Sequence, residues 1–518
     1  MLRTLSLVAG FACAALVASR ATHAQTITYL PGGVQVVNGT NSRTGNYAVG
    51  SYFSGTQTRA YRWSAGAGLQ DVGVSTASPT VALFAEPEVG SVVVGYGTVG
   101  PNIHAFWWHP QLGIQDLGTF GGSDSTAYCV SAFGGVTVGE AHDENDQNRA
   151  FRFVRGPNSV IEDLGTLGGF TSSAWFVSQN GFTIVGDSQL KDGSTRAFVW
   201  NELDGMINCG SFSGGESYCT RCSEDGTAVL GRSRKADGKF YAFRWTDSEG
   251  MRSLGSLGGR RAESQYASVD GSVVTGTAQN KVQQQRVFRW TEKVGMRDLG
   301  TLGGGYSFPT GINGDGRLIV GVSEEKNGRR SAFVASSRSK KLRSMDAVLA
   351  DVMDPEDIDG VHFVEPRALS RDGRILYVEI ANNGFADIVQ LSMPPQRPAL
   401  AERPIGAIAS NVASLAYPYA AQAYQTDLDN TYAYLAYAYA LWAYNFDLKA
   451  RSVVFDWWEK DAAMAEYKQL RAAMQLYFYY AAYYSYVDFN YVSANPYSYY
   501  SAVYCYYAHQ YGLQDLGQ

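Results

Sequence analysis

The chain has 518 residues, with 42 Lys and Arg against 48 Asp and Glu and a formal net charge of −6. That length is too great for one small domain, and the acidic balance gives no electrostatic footing for nucleic acid. At the N-terminus Arg3 leads into the apolar stretch L-S-L-V-A-G-F-A-C-A-A-L-V-A and then A-T-H-A. A positive start, an apolar middle and a small-residue site predict a signal peptide over residues 1–24, cleaved after Ala24. Gly10 stands where a lipoprotein signal built on Cys13 usually has an aliphatic residue, so soluble export is the favoured reading.

From there a motif A-F-x-W, followed by D-L-G-T-L-G-G, recurs with a period near 45. Its anchors are Ala60, Ala105, Ala150, Ala197, Ala242, Val287 and Ala332, spaced by 45, 45, 47, 45, 45 and 45 residues, with a degenerate eighth copy at Ala386. The fourth unit divides into β-rich runs at 174–178, 182–188, 196–200 and 205–210, the first two joined by Q-N-G. Four short strands in about 45 residues predict a propeller blade, because each small sheet has two apolar faces that only neighbouring sheets can cover. Glycines interrupt every 3.6-residue stripe, which excludes a helical solenoid. The expected fold is mainly β, a propeller spanning residues 25–393 with eight four-stranded blades, or alternatively seven. The eight-blade reading takes I-T-Y-L-P-G-G (27–33) as a worn version of the D-L-G-T-L-G-G strand, so that the chain starts on one strand of a blade, finishes at A-D-I-V-Q-L (386–391) on another, and a strand exchange between the ends closes the ring. Closure removes exposed sheet edges.

The ordered segments G-M-x-D-L-G-T-L-G-G, V-x-x-D-G-x-V-V-G and H-A-F-W-W or R-A-F-R-W resemble the bacterial extracellular HAF repeats over about residues 27–393, and His104, Ala105 and Phe106 spell the name. The resemblance implies an exported bacterial β-repeat protein, secreted, periplasmic or at the cell surface, of unassigned molecular role. It supplies no catalytic residues. Cys209 and the Ser253, Leu254 pair depart from D-L-G in the fourth and fifth units.

The repeated side chains have structural readings. Phe106, Phe151, Phe198, Phe243 and Phe288, with Trp63, Trp200, Trp245 and Trp290, are expected in the core between blades, each burying about 150–250 Å². Arg59 and Asp71, Arg149 and Asp163, and Arg286 and Asp298 are kept together, whereas the units with Tyr241 and Ser331 carry Ser253 and Ser344 instead of the acid. His104 with Asp116 and Arg196 with Asn208 are intermediate. These predict structural charge pairs across adjacent antiparallel strands, each worth about 0.2–1 kcal/mol. The turns V-S-x-N-G and C-S-E-D-G are likewise read as structural.

In H-D-E-N-D-Q-N (142–148), Asp143, Asn145 and Asp146 are calcium candidates, but the Gly and distal Glu of an EF-hand loop are missing. A solvated hairpin tip is the simpler reading, and no other cofactor is expected. The histidines show no metal-ligand spacing. Cys209 is the predicted disulfide partner of Cys219 or Cys222, being close to both in sequence in an exported chain.

Composition changes at P-P-Q-R-P-A-L-A-E-R-P, read as a linker over 394–410. Residues 411–518 form an Ala/Tyr-rich region, and 23 of the 34 tyrosines lie beyond residue 404. Tyr467, Leu470, Met474, Tyr477, Ala481 and Tyr484 share one helical face, as do Tyr432, Leu435, Tyr439, Trp442 and Phe446, which predicts a helical hairpin suited to association with a partner. Uncharged runs at 430–446 and 472–487 fall short of the approximately 20 residues of a membrane helix. The terminal G-L-Q-D-L-G (512–517) nearly copies 113–118 and is a candidate last strand. The expected function is a non-catalytic binding or adhesion module for an unidentified glycan or protein at the cell surface, with no catalytic residues. The alternative is a secreted hydrolase or lyase acting on a polysaccharide or envelope component, which rests on fold analogy alone.

Overall fold

The computed structural model describes residues 26–516 apart from 31–33, 37–45, 55, 73–78, 87–89, 156–158, 338–340, 354, 383–384, 393–396, 399–403, 427–430, 452–453, 456–459 and 488–495. The predicted signal peptide, residues 1–24, lies outside the described residues.

The fourth repeat shows how a blade is made. Its innermost strand, Gly168–Val177, is followed by Ile184–Leu190, Thr195–Asn201 and Gly205–Asn208, each antiparallel to the one before. Gly186 is opposite both Ala174 and Phe198. A Cβ there would lie 1.9 Å from the Ser173 carbonyl oxygen and 2.8 Å from the Phe198 ring. The glycine is therefore demanded by close approach, since the Phe ring lies where a side chain would go. Gly139, Gly231 and Gly321 stand in the same relation to Phe151, Phe243 and Phe333.

Eight four-stranded units of this kind are present, at 34–71, 80–118, 121–163, 168–208, 217–255, 258–298, 303–344 and 361–392, numbered here as blades 1 to 8, with blades 5 and 6 bridged into one sheet by a parallel contact of Phe240 with Arg261. The last takes its outermost strand from the other end of the chain. Thr26–Tyr29 pairs antiparallel with Phe385–Ser392, Ile27 opposite Leu391 and Tyr29 opposite Val389. The eight-blade arrangement holds and the seven-blade alternative does not. Trp63 of blade 1 meets Tyr377 of blade 8 edge to face, with centroids 6.1 Å apart, so apolar contact continues across the seam.

Blades are joined by a repeated hydroxyl contact. The Ala150 N–H donates to Ser172 Oγ of the next blade at 2.9 Å, and that hydroxyl donates to the Gly165 carbonyl at 2.6 Å. Thr80, Ser125, Ser217 and Ser307 receive the N–H groups of Ala60, Ala105, Ala197 and Val287 in the same way. Ala262 occupies the position in blade 6, where Ser264 instead donates to the Phe243 carbonyl. Around these bonds lie the predicted aromatics: Phe106, Phe151, Phe198, Phe243 and Phe288 are buried, with Trp63, Trp200 and Trp290.

Two short helices, α1 (Met345–Ala350) and α2 (Pro355–Ile358), are inserted before blade 8. Ser344 caps α1 by accepting the Ala347 N–H, and Met345, Val348 and Leu349 fill a core with strands of blades 7 and 8.

The C-terminal region is helical, as expected, but is larger than a hairpin. Helices α3 (Pro404–Thr426), α4 (Thr431–Arg451), α5 (Lys460–Val487) and α6 (Pro496–Leu516) form a four-helix bundle in which α3 and α5 each contact α4 and α6. Helix α3 begins inside the predicted linker, with proline in the first turn, where its missing N–H costs nothing. The G-L-Q-D-L-G copy is helical rather than a strand, because α6 runs to Leu516 and pairs with no sheet. None of the described helices is long and apolar enough to cross a membrane. The α5 face is as read, with Tyr467, Met474 and Ala481 buried. On α4 the buried seam is instead Ala433, Ala436, Ala440, Ala443 and Ala450. Small side chains let the helices approach closely, and tyrosines flank the seam in stacked pairs such as Tyr417 with Tyr444 and Tyr439 with Tyr484. Arg471 crosses the bundle core to Asp447 at 2.8 Å and to Ser410, all fully buried.

Removing one partner of a buried pair strands the other charge, a loss of about 3–5 kcal/mol. Asp447→Ala is expected to lower the denaturant midpoint of the helical circular-dichroism signal by that equivalent, and an unchanged midpoint would show that the pair does not hold the bundle. Gly186→Ala is expected to destabilise the β-sheet signal by more than about 2 kcal/mol through overpacking and backbone displacement, read in the same titration.

Candidate functional site

Along the innermost strands one extra residue is accommodated at the same place in seven blades. The pairing register shifts between Ala82 and Phe84, Ala127 and Cys129, Ala174 and Phe176, Cys219 and Arg221, Ser264 and Tyr266, Pro309 and Gly311, and Pro366 and Ala368. Such a bulge re-aims the side chains beside it. In blades 2 to 7 the residue after the bulge is Phe84, Cys129, Phe176, Arg221, Tyr266 and Gly311, and all six line a cavity of about 110 Å³. Walls drawn from the innermost strands of seven blades can meet only on the propeller axis, so the cavity is axial.

Its mouth is built by the turns that follow those strands. In blade 4 Ser178 Oγ accepts the Thr183 N–H and donates to Asn180 Oδ1, and Gly181 takes φ +80°, which closes the tight turn. The turns of blades 3 to 8 are tied in succession through the second residue, except in blade 5, where Asp225, the third, donates its N–H to the Val269 carbonyl at 3.2 Å. The Ala132 N–H donates to the Gln179 carbonyl, Gln179 to Glu224, Val269 to Gly314 and Gly314 to Arg371, at 2.7–2.9 Å. This run of backbone bonds sets Gln179, Glu224 and Arg371 around the opening, and an Arg371 to Glu224 ion pair at 3.5 Å spans it from blade 8 to blade 5.

Inside, Arg221 lies with its guanidinium carbon 4.8 Å from the Phe176 ring centre and 4.9 Å from that of Tyr266. Phe84 and Phe176 meet edge to face at 5.9 Å. Burial pushes the Cys129 thiol up to about 12 and raises that of Cys222, so both are inert protonated thiols at neutral pH.

A second polar layer is shared by the innermost strands and their neighbours in blades 3 to 8. Glu140 accepts from Tyr128 and Ser173, and Arg232 pairs with Glu263, Arg330 with Glu365 and Arg367 with Glu379. Asp187 accepts from Trp175 Nε1 at 3.0 Å and from the Cys219 N–H at 2.6 Å. Burial nevertheless dominates and pushes its carboxyl up to about 7.

The site residues expected from the repeats lie elsewhere. Arg59 is 2.6 Å from Asp71, His104 2.9 Å from Asp116 and Arg149 2.9 Å from Asp163. The acid is opposite the aromatic at the anchor, Phe151 for Asp163, so each pair is a diagonal one within a blade. Arg286 and Asp298 do not pair. Arg286 reaches the Gly305 carbonyl of the next blade at 2.7 Å, while Asp298 accepts the Gly300 N–H at 2.7 Å.

The predicted disulfide is not formed. Cys209, Cys219 and Cys222 are free and buried, and they fill the apolar interface of blades 4 and 5 as small hydrophobic side chains. Among the described residues no group of three or more His, Cys, Asp or Glu could hold a metal ion. Asp143 Oδ1 accepts from Asn145 and Gln147, and Asp146 is engaged by Ser123 and His142, which makes 142–148 a hydrogen-bonded hairpin tip rather than a calcium cage. The Ser123 hydroxyl holds the Asp146 carboxyl down at about 2.

The axial residues were missed from sequence because they do not repeat. The position 21 residues before each anchor reads Phe, Cys, Phe, Arg, Tyr and Gly among neighbours that recur, and that contrast was the available signal.

No family model and no curated protein matches this chain. Solved propellers are similar to it in fold. An oligogalacturonate lyase in complex with manganese is 11% identical, with 72% of this chain and 94% of that one covered and a TM-score of 0.41. TolB from Acinetobacter baumannii is 12% identical over 57% of this chain and 79% of its own, with a TM-score of 0.32. The β-propeller domain of the Trilobed protease from Pyrococcus furiosus is 10% identical over 52% and 85%, also with a TM-score of 0.32. The likeness is one of propeller architecture and extends to no activity.

The buried Asp187 carries a pH dependence. Its folded carboxyl keeps a proton up to about 7, whereas an unfolded aspartate loses it near ~3.9. The folded state therefore binds the extra proton in between, and its contribution to stability falls as pH rises from about 4 to about 7 and is lost above that. Asp187→Asn is expected to flatten this slope in urea titrations across that range; an identical slope would show that Asp187 does not titrate so.

Proposed function

We propose that this chain is an exported, non-catalytic binding propeller of the HAF-repeat kind, located in the periplasm, at the cell surface or outside the cell, and that its ligand enters the axial cavity. One observation carries the reading. In a ring whose blades repeat the same contacts, the residues gathered on the axis differ from blade to blade, and Gln179, Arg221, Glu224 and Arg371 meet there. A concave site with a few convergent polar groups on an apolar wall is the usual form of a small-ligand pocket.

Binding is favoured over catalysis by the chemistry of the lining. General acid–base work needs a group that exchanges protons near neutral pH. The cavity offers two guanidinium groups, one carboxylate already paired with Arg371, two thiols held protonated by burial, and the Tyr266 phenol, which burial likewise keeps protonated. Asp187 has a carboxyl in the useful range, but its oxygens are taken by Trp175 and the Cys219 N–H, and it does not line the cavity. The competing reading, a hydrolase or lyase acting on a polysaccharide or envelope component, finds no such pair on the axis. The partner expected is a glycan or protein of the cell surface.

Thermal unfolding of the full chain against envelope glycans and peptides tests this. A ligand bound only by the folded state adds about 2.7 kcal/mol at 100 times its dissociation constant. That gain is expected to be saturable and to fall sharply in Arg371→Ala, with the ligand recovered unchanged. A gain that survives both Arg371→Ala and Arg221→Ala would move the site off the axis, and consumption of the ligand would establish an enzyme.

A further inference from the structure

We propose that the axial cavity recognises a carboxylate, with Arg221 as the recognising cation; this rests on the binding reading above and names the ligand class. Arg221 follows the bulge at Thr220, whose hydroxyl is anchored to the Ser264 carbonyl of blade 6 at 2.6 Å. The side chain is thereby delivered between Phe176 of blade 4 and Tyr266 of blade 6. The ring contacts leave the guanidinium without a carboxylate partner, and its paired N–H groups are what bind carboxylates in bidentate fashion. The other arginines near the axis have acidic partners: Arg371 has Glu224, Arg232 has Glu263, and Arg330 and Arg367 have Glu365. Arg221 forms no ion pair among the described residues.

A second group points to the same ligand. Thr310 is 5% exposed, lines the cavity, and its Oγ1 has no hydrogen-bond partner. An unpaired buried hydroxyl is an exception that calls for an occupant. A single cation balances a single negative charge, so the site suits a monoanion rather than phosphate or sulfate, whose second charge would be buried without a partner. An engineered apolar cavity of about 150 Å³ admits benzene, so this smaller space suits an acid of about five non-hydrogen atoms, its chain against Val130, Ile312 and Leu369. Such a group is either a free short-chain acid or the carboxylate at the end of a peptide reaching through the mouth.

Isothermal titration calorimetry of the full chain separates these sources, using propionate, a tripeptide with a free C-terminus, the same tripeptide amidated, and sulfate. Saturable binding of propionate, of the free tripeptide or of both is expected, with none for the amide or sulfate. Losing a hydrogen bond to a charged group should weaken binding about 10- to 100-fold in Arg221→Gln, with near-ultraviolet circular dichroism unchanged. Thr310→Val should weaken it about fivefold, and it decides the matter alone if Arg221→Gln does not fold. Sulfate binding as tight as propionate, no carboxylate binding by the parent chain, or binding unaltered in the folded variants overturns the proposal. If a glycan or peptide still stabilises the parent and Arg221→Gln equally, the carboxylate assignment fails while the binding module stands; if nothing stabilises the parent, both fall.

Discussion

The ring depends on a hydroxyl handed from one blade to the next. In blades 1 to 4 and 6 the anchor N–H is met by no partner of its own blade, and Thr80, Ser125, Ser172, Ser217 or Ser307 of the following blade supplies the acceptor, whereas Ala262 leaves the joint of blades 5 and 6 without that hydroxyl. A buried backbone N–H left unpaired costs about as much as a lost hydrogen bond, so these five blades are incomplete without their successors. Apolar contact could tolerate small rotations between sheets. A directional bond beside it cannot, and it fixes how far each innermost strand stands from the axis.

That positioning explains why the axial cavity can be specific while the ring is monotonous. The bulge comes at a constant place in blades 2 to 8 and the turns after it are tied rim to rim, so the backbone around the axis is a fixed frame. What varies is a single side chain per blade. Phe176, Arg221 and Tyr266 occupy equivalent places in consecutive blades, and their contact follows from that equivalence.

Much of this architecture was legible in the sequence because it is written repeatedly. The Phe at each anchor, the Gly opposite it and the turn hydroxyls each state a local steric or hydrogen-bond requirement, and recurrence makes the statement unambiguous. The strand from 26 to 29 was readable as a worn copy, whereas its register with 389 to 392 is set by backbone pairing that the sequence does not state. Arg286 and Asp298 misled because the same residues at the same spacing have other partners, the Gly305 carbonyl and the Gly300 N–H. Cys209 and Cys219 misled because nearness in sequence is not bonding geometry, and their thiols serve as core. In the C-terminal bundle the aromatic stripe of α4 drew attention, whereas alanine supplies the seam; a residue with no bulk leaves no periodic signal among tyrosines. Arg221 was invisible as a site because its importance lies in being unlike its equivalents.

The seam at blade 8 also orders events in time. Thr26 is paired with Ser392, so the two ends of the propeller sequence must find one another across nearly the whole domain. Closing so long a loop carries a slowly growing entropic cost, and folds dominated by distant pairings form slowly. Seven blades can stack as the chain emerges, yet the strand Phe385–Ser392 keeps an open edge until the first residues return to it. A chain interrupted before residue 392 would be a nearly complete propeller with a live edge, and the interval before closure is when other chains could pair with it.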